Sequence, residues 1–302
     1  TNRINKRHRL TVKTSDTKKL YKLISENAGS NPDRLTMESL EFKKLIEKIG
    51  NTVHSMNTIA VALSVMPTEE FEVPEKLDVS WKPKQIEESK KRARNFAGKS
   101  AYVYVAENLF EYLDEISKNP IWKFPNINFK GEDKKAIKVY KFLNQIPTLS
   151  SEIIILAELI CHWRNKIVHE STSNAGLSSN KRDKLLESKK EIYESFHHFD
   201  VSIALNNFNT KKITLKDVST LTTMVIKCCR EVDELFFKGI SENKDFSEYK
   251  KLFIAKEDFK KIYLKPKSEK RTRQIEKWVR LNYHYLDDEK IEKLLSVLYL
   301  KD

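Results

Sequence analysis

Glycine and proline are scarce in this chain, at 6 and 8 of 302 residues. So few turn formers leave little room for the hairpins of a sheet protein. With 33% of residues charged and Lys, Glu, Leu and Ile abundant, the composition argues for an all-α protein. The three cysteines, Cys161, Cys228 and Cys229, are odd in number and irregular in spacing. They form neither a disulfide framework nor a zinc site, and in apolar helical segments they read as reduced core thiols of a cytoplasmic protein. No apolar run approaches a membrane span, and the N-terminus is basic and polar rather than signal-like. There is no internal repeat, phosphate-cradling glycine loop, nucleophile elbow or dense carboxylate site for magnesium. Several familiar enzyme classes are thereby disfavoured, and no metal or cofactor is expected.

What is present in excess is positive charge, a net +13. Residues 1–22 carry +7 and residues 256–280 carry +6, while the rest balance. Two basic arms suit a polyanion, since Lys and Arg supply sequence-independent contacts to phosphates. The competing reading is a solvated surface that maintains solubility. If the arms bind RNA, Arg7, Arg9, Lys267, Lys270, Arg271 and Arg273 are the candidate contacts.

Along the chain, a short helix is expected near 17–27 and a longer one over 36–65, where Leu40, Leu45, Ile49, Val53, Met56 and Ile59 follow helical spacing. Pro67, Pro74 and Pro83 then forbid a continuous helix. Residues 1–66 therefore read as an N-terminal helical region and 67–85 as a linker. A long helix is expected over 84–119, with a wide apolar face containing Phe96, Tyr102, Val105, Leu109 and Phe110. Glu107 interrupts that face, so it either sits on an exposed rim or has a cationic partner, for which Arg164 is a candidate. Residues 121–130 form an aromatic loop that either covers the bundle end or stacks on bases. Further helices are expected over 133–144, from 150 to near His169, and over 181–199 and 216–240. Two more fall at 270–285 and 289–300, in a basic C-terminal region spanning 241–302.

The stretch SSEIIILAELICHWRNKIVHE, residues 150–170, organises the rest. Ile153, Leu156, Ile160, Trp163 and Ile167 share one helical face. Arg164, Asn165 and His169 fall at the end of that helix, before the small, polar run at 171–180. Arg3 and His8 have the same spacing, but in a basic tail without apolar periodicity. The run Arg164-Asn165-Lys166-Ile167-Val168-His169 resembles the R-x4-6-H motif of the HEPN superfamily. That resemblance covers residues 86–240. It implies a HEPN-like helical bundle with additional N- and C-terminal helical segments. It also implies metal-independent endoribonuclease activity at a cleft shared by two protomers, of the kind found in bacterial toxins and antiviral effectors. RNA would be the substrate, a second copy the first partner, and an antitoxin or regulatory protein a further one.

The residue types suit that chemistry. A histidine serves as general base or acid near neutral pH, and an arginine matches the geometry of a charged phosphorane. On this reading His169 is the acid or base, Arg164 stabilises charge, and Asn165 orients the phosphate. Glu107, His162, Lys166 and Glu170 are supporting candidates. Five residues correspond to roughly 140° around a regular helix, so one chain is not expected to aim both Arg164 and His169 at one phosphate. A two-fold dimer would solve this. The alternative is a non-catalytic helical nucleic-acid-binding or scaffold protein, whose motif serves packing or dimerisation.

Overall fold

The computed structural model describes residues 38–69, 73, 75–119, 122, 134–169, 176–242, 246–247, 249–283 and 286–299. The short helix expected near 17–27, Arg7, Arg9 and Glu170 lie outside them, as does the aromatic loop apart from Trp122. Every long regular element among the described residues is an α-helix, as the composition requires. In chain order they are α1 (Leu40–Val65), α2 (Ile86–Ser117), α3 (Lys135–Leu143), α4 (Ser151–Val168), α5 (Ser179–Glu187) and α6 (Lys189–Ser195). There follow α7 (Val201–Thr210), α8 (Leu215–Glu242), α9 (Tyr249–Ile254), α10 (Glu257–Tyr263), α11 (Glu269–Asn282) and α12 (Asp288–Tyr299).

The central helix is α4, which packs against α2, α3 and α8. Its apolar stripe understates its burial. Ile154, Ile155, Ala157, Leu159 and Cys161 are buried along with Ile153, Leu156, Ile160 and Trp163. A helix apolar on all sides belongs in the middle of a bundle. Burial pushes all three thiols, Cys161, Cys228 and Cys229, well above the ordinary cysteine range, and none is oxidised. No helix among the described residues is long and apolar enough to cross a membrane.

The proline-rich stretch 67–85 joins α1 and α2, which pack directly on each other. Ser39 begins α1 with its hydroxyl accepting from Phe42 N–H at 3.0 Å, the usual N-cap arrangement. The same residue ties α1 to α8. Its backbone N–H donates to Asp233 Oδ2 at 3.0 Å, and its hydroxyl donates to Oδ1. Burial raises the Asp233 carboxyl to about 7, against these two donors, which lower it.

Several local expectations are corrected. Residues 181–199 form two helices, α5 and α6, broken at Ser188. After α6 the chain reverses through His197 and His198, both with positive φ, and Lys216 donates to the His198 carbonyl at 2.7 Å. Lys211 takes a left-handed conformation at the end of α7. In a chain so poor in glycine, left-handed backbone falls to residues for which it costs about 1 kcal/mol or more. Helices α7, α9 and α10 were not expected. Ile59 and Phe96, which share helical faces with core residues, are exposed. Phe96, at 71% exposure, lies N-terminal of Tyr102, the α2 residue on which Trp163 of α4 stacks.

The helices α9 to α11 assemble around an aromatic cluster of Tyr249, Phe253, Phe259, Trp278 and Tyr283, and α12 packs against α9 and α11. Tyr249 Oη, donating to Asn119 Oδ1 at 3.1 Å, links this cluster to the end of α2.

Candidate active site

The C-terminal end of α4 is held by α2 and α7. Trp163 stacks on Tyr102 of α2, with ring centroids 4.9 Å apart and planes 8° from parallel, and meets Phe208 of α7 edge-on at 5.1 Å. Lys166 donates to the Phe208 carbonyl at 2.7 Å and lies 4.2 Å from that ring's centroid. Its ammonium caps the carbonyl end of α7, where a cation is favoured. Partial burial, with Lys211 nearby, lowers its pKa. Lys166 is thus committed to holding α7 against α4 and is not a free supporting group.

His162 is also withdrawn from the site. It is buried, and its Nε2 lies 3.3 Å from Glu158 Oε1. Glu158, buried itself, accepts from Lys181 of α5 at 2.6 Å, and that ammonium sits over the Tyr140 ring. The bundle encloses Glu158, at 2% exposure, and supplies two partners. Such a group demands them, because an unpaired buried carboxylate is costly.

The remaining motif residues converge. Arg164 Nε donates to Glu107 Oε1 at 2.7 Å, and Nη2 lies 2.6 Å from the same oxygen. Its Nη1 donates to Asn165 Oδ1 at 3.3 Å and lies 3.3 Å from His169 Nε2. Lys135 Nζ, at the start of α3, sits 3.3 Å from Glu107 Oε2 and over the Phe110 ring at 4.7 Å. One cluster therefore joins α2, α3 and α4. It holds Arg164, Lys135 and Glu107, a formal net of one positive charge before His169 is counted.

The in-chain approach of Arg164 to His169 overturns the roughly 140° argument from helix geometry. That argument assumes a helix through residue 169. Here α4 ends at Val168, and His169, with φ −116° and ψ 75°, has left the helix. Its backbone N–H still bonds to the Asn165 carbonyl at 2.9 Å, so the ring turns back toward Arg164. Guanidinium has no lone pair to offer, so a hydrogen bond in this contact requires Nε2 to accept. His169 is exposed, whereas the Arg164 side chain is only 17% exposed. A solvent-facing base beside an anchored cation suits chemistry on a phosphate.

Lys135 was not anticipated from the sequence. It stands 28 residues from Glu107, and nothing local marks it beyond its place at a helix start. The basic candidates of the C-terminal region lie around the start of α11. Lys267, Lys270 and Arg273 are exposed, with Arg273 paired to Glu269, and Arg271 stacks on Tyr263. Trp122 is buried and stacked on Phe142 at 5.2 Å, so it covers the bundle and is not offered to a base. Among the described residues, no group of three or more His, Cys, Asp or Glu has metal-binding geometry. No family model matches the chain, and neither a curated protein nor a solved structure matches it.

Proposed function

We propose that the protein is a HEPN-type endoribonuclease that cleaves RNA without a metal ion. The observation that carries this reading is the 3.3 Å approach of Arg164 Nη1 to His169 Nε2, with the guanidinium held by Glu107. His169 Nε2 takes the proton of a 2′-hydroxyl, and the 2′-oxygen attacks the adjacent phosphorus. Arg164, with Lys135 nearby, stabilises the charge that builds on the phosphorane. The 5′-oxygen leaves with a proton, and the upstream fragment ends in a 2′,3′-cyclic phosphate. Asn165, bonded to Arg164, keeps the fork oriented.

The leaving oxygen needs an acid. Among the described residues one chain brings a single exposed histidine to Arg164, because His162 is buried in its pair with Glu158. A second copy around a two-fold axis would supply the other histidine. Exposed Tyr104 and Val168, one helical turn from Glu107 and Arg164, offer apolar surface for such an interface. An activity of this kind belongs with toxins and antiviral effectors in the cytoplasm, where a regulatory protein partner would restrain it.

One observation favours the second reading, a non-catalytic scaffold. Glu107 occupies the Nε–Nη2 edge of Arg164, the edge best shaped for a phosphate. Incubating the purified chain with single-stranded RNA in excess EDTA decides between them. The nuclease reading expects fragments with cyclic or hydrolysed 3′ ends; intact RNA over a wide range of protein concentration supports the scaffold.

A further inference from the structure

A cavity of about 280 Å³ lies between α10, α11 and α12, away from the Arg164 cluster in sequence and in fold. Its wall includes Tyr263, Lys267, Arg271, Ile275, Leu298 and Tyr299. Two cations, two phenols and two aliphatic side chains line one small space, a mixture suited to a ligand with a charged part and a flat apolar part.

Arg271 is the informative residue. Its guanidinium carbon sits 4.8 Å from the Tyr263 ring centroid, so one face of the group is supported. Its Nε–H is buried and has no hydrogen-bond partner. The neighbouring arginines of α11 differ: Arg273 pairs with Glu269, and Arg280 with Glu276, Asp288 and Glu292. Among the described residues no carboxylate pairs with Arg271. A stacked guanidinium with a buried, unspent donor is a group waiting for an acceptor, and its fork fits phosphate. Lys267 adds a second charge at the same wall. The nearby carboxylates Glu276 and Glu292 are both engaged by Arg280.

Two residues of the pocket wall are also tied together. Tyr299 Oη donates to the Thr272 carbonyl at 3.1 Å, tying α12 to the first turn of α11. The phenol ring of Tyr299, 44% exposed, keeps a surface on which a heterocycle can stack. The volume suits one nucleotide and no more.

We propose that this cavity binds a nucleoside phosphate, with the phosphate on Arg271 and Lys267 and the base against Tyr299, Ile275 and Leu298. Such a ligand is either a free mononucleotide or the terminal nucleotide of an RNA. The site does not depend on the nuclease reading and would exist in a scaffold as well.

Calorimetric titration of the full chain tests it. The probes are the four nucleoside 5′-monophosphates, inorganic phosphate, and a short oligoribonucleotide with and without a 5′-phosphate. At least one nucleotide should bind ten-fold or more tightly than inorganic phosphate. Arg271→Ala should weaken it at least ten-fold. Thr272→Phe, at an exposed position on the cavity wall, should do the same by filling the space without disturbing the core. A thermal melt shows that each variant is folded. Binding of a free mononucleotide identifies a soluble ligand, whereas binding only as a phosphorylated oligonucleotide end identifies RNA. The proposal is overturned if nothing binds more tightly than inorganic phosphate, or if binding survives both substitutions.

Discussion

Glu107 and Arg164, 57 residues apart, meet through one oxygen: Nε and Nη2 of the arginine both approach Oε1, at 2.7 and 2.6 Å. Glu107 Oε2 is left to Lys135. The carboxylate therefore positions two cations at once and offsets half of their charge.

This makes Glu107→Gln a revealing variant. The amide oxygen can still accept from Arg164, but the negative charge beside the proposed phosphate site is gone. The KM for RNA should fall several-fold. With Glu107 about 40% exposed, the lost ion pair should cost about 1 kcal/mol or less, a melting shift of roughly 2 °C. A higher KM would show that Glu107 does not oppose phosphate binding.

For catalysis, His169→Ala should lower the cleavage rate by about 10²–10⁴-fold and Arg164→Ala by about 10²–10³-fold. Because His169 is exposed at a helix end, its removal should leave the melting temperature unchanged. His8→Ala, in the other Arg–His pair of this spacing, serves as the control and should cleave like the parent. Equal rates for His169→Ala and the parent would refute the site.

Asp233 gives the pH dependence of stability. Its carboxyl is raised from 3.8 to about 7 by burial, so the folded state holds a proton that the unfolded state has released. The contribution is fully present below about pH 4 and is lost as pH rises toward 7, at a slope of up to about 1.4 kcal/mol per pH unit. Asp233→Asn should flatten that part of the profile in denaturant titrations at pH 4, 5.5, 7 and 8. An unchanged slope would remove Asp233 as its source.

Gly98 tests how closely α2 approaches the segment before α8. A Cβ there would meet Ile213 Cγ2 at 2.6 Å. Alanine gains about 1 kcal/mol of helix propensity, but overpacking against a β-branched side chain costs about 1–3 kcal/mol. Gly98→Ala should therefore be net destabilising in chemical denaturation. Shortening Ile213 to Val retains Cγ2 and should not rescue it, whereas Ile213→Ala combined with Gly98→Ala should recover part of the loss.

The long elements were legible because their apolar residues repeat over many turns, as in α2, α4 and α8. Helix α7 carries a short signal of its own: Asp200 caps it, accepting from Ser202 and Ile203 N–H, and Val201, Ala204, Leu205 and Phe208 share one face. Helices α9 and α10 are too short for periodicity to speak, and an aromatic cluster drawn from α9, α10 and α11 with its C-cap Tyr283 defines them. At the site, a carboxylate interrupting the face of α2 rightly suggested a partner for Glu107. Lys135 did not announce itself, since only tertiary packing brings it to Glu107. The orientation of His169 is not legible in the sequence, because it depends on the single residue at which α4 stops, and helix ends are the least legible part of a helical pattern.

That early stop at Val168 bears on inheritance of activity in a mixed population of subunits. If each chain's Arg164–His169 pair works alone, blending parent with His169→Ala subunits should dilute activity in direct proportion. If two histidines from different chains share one phosphate, only pairs of parent subunits turn over, and an equal mixture should retain about a quarter of the activity, not about half. The shape of that dilution curve, linear or quadratic, states how many chains contribute a histidine to one cleavage event.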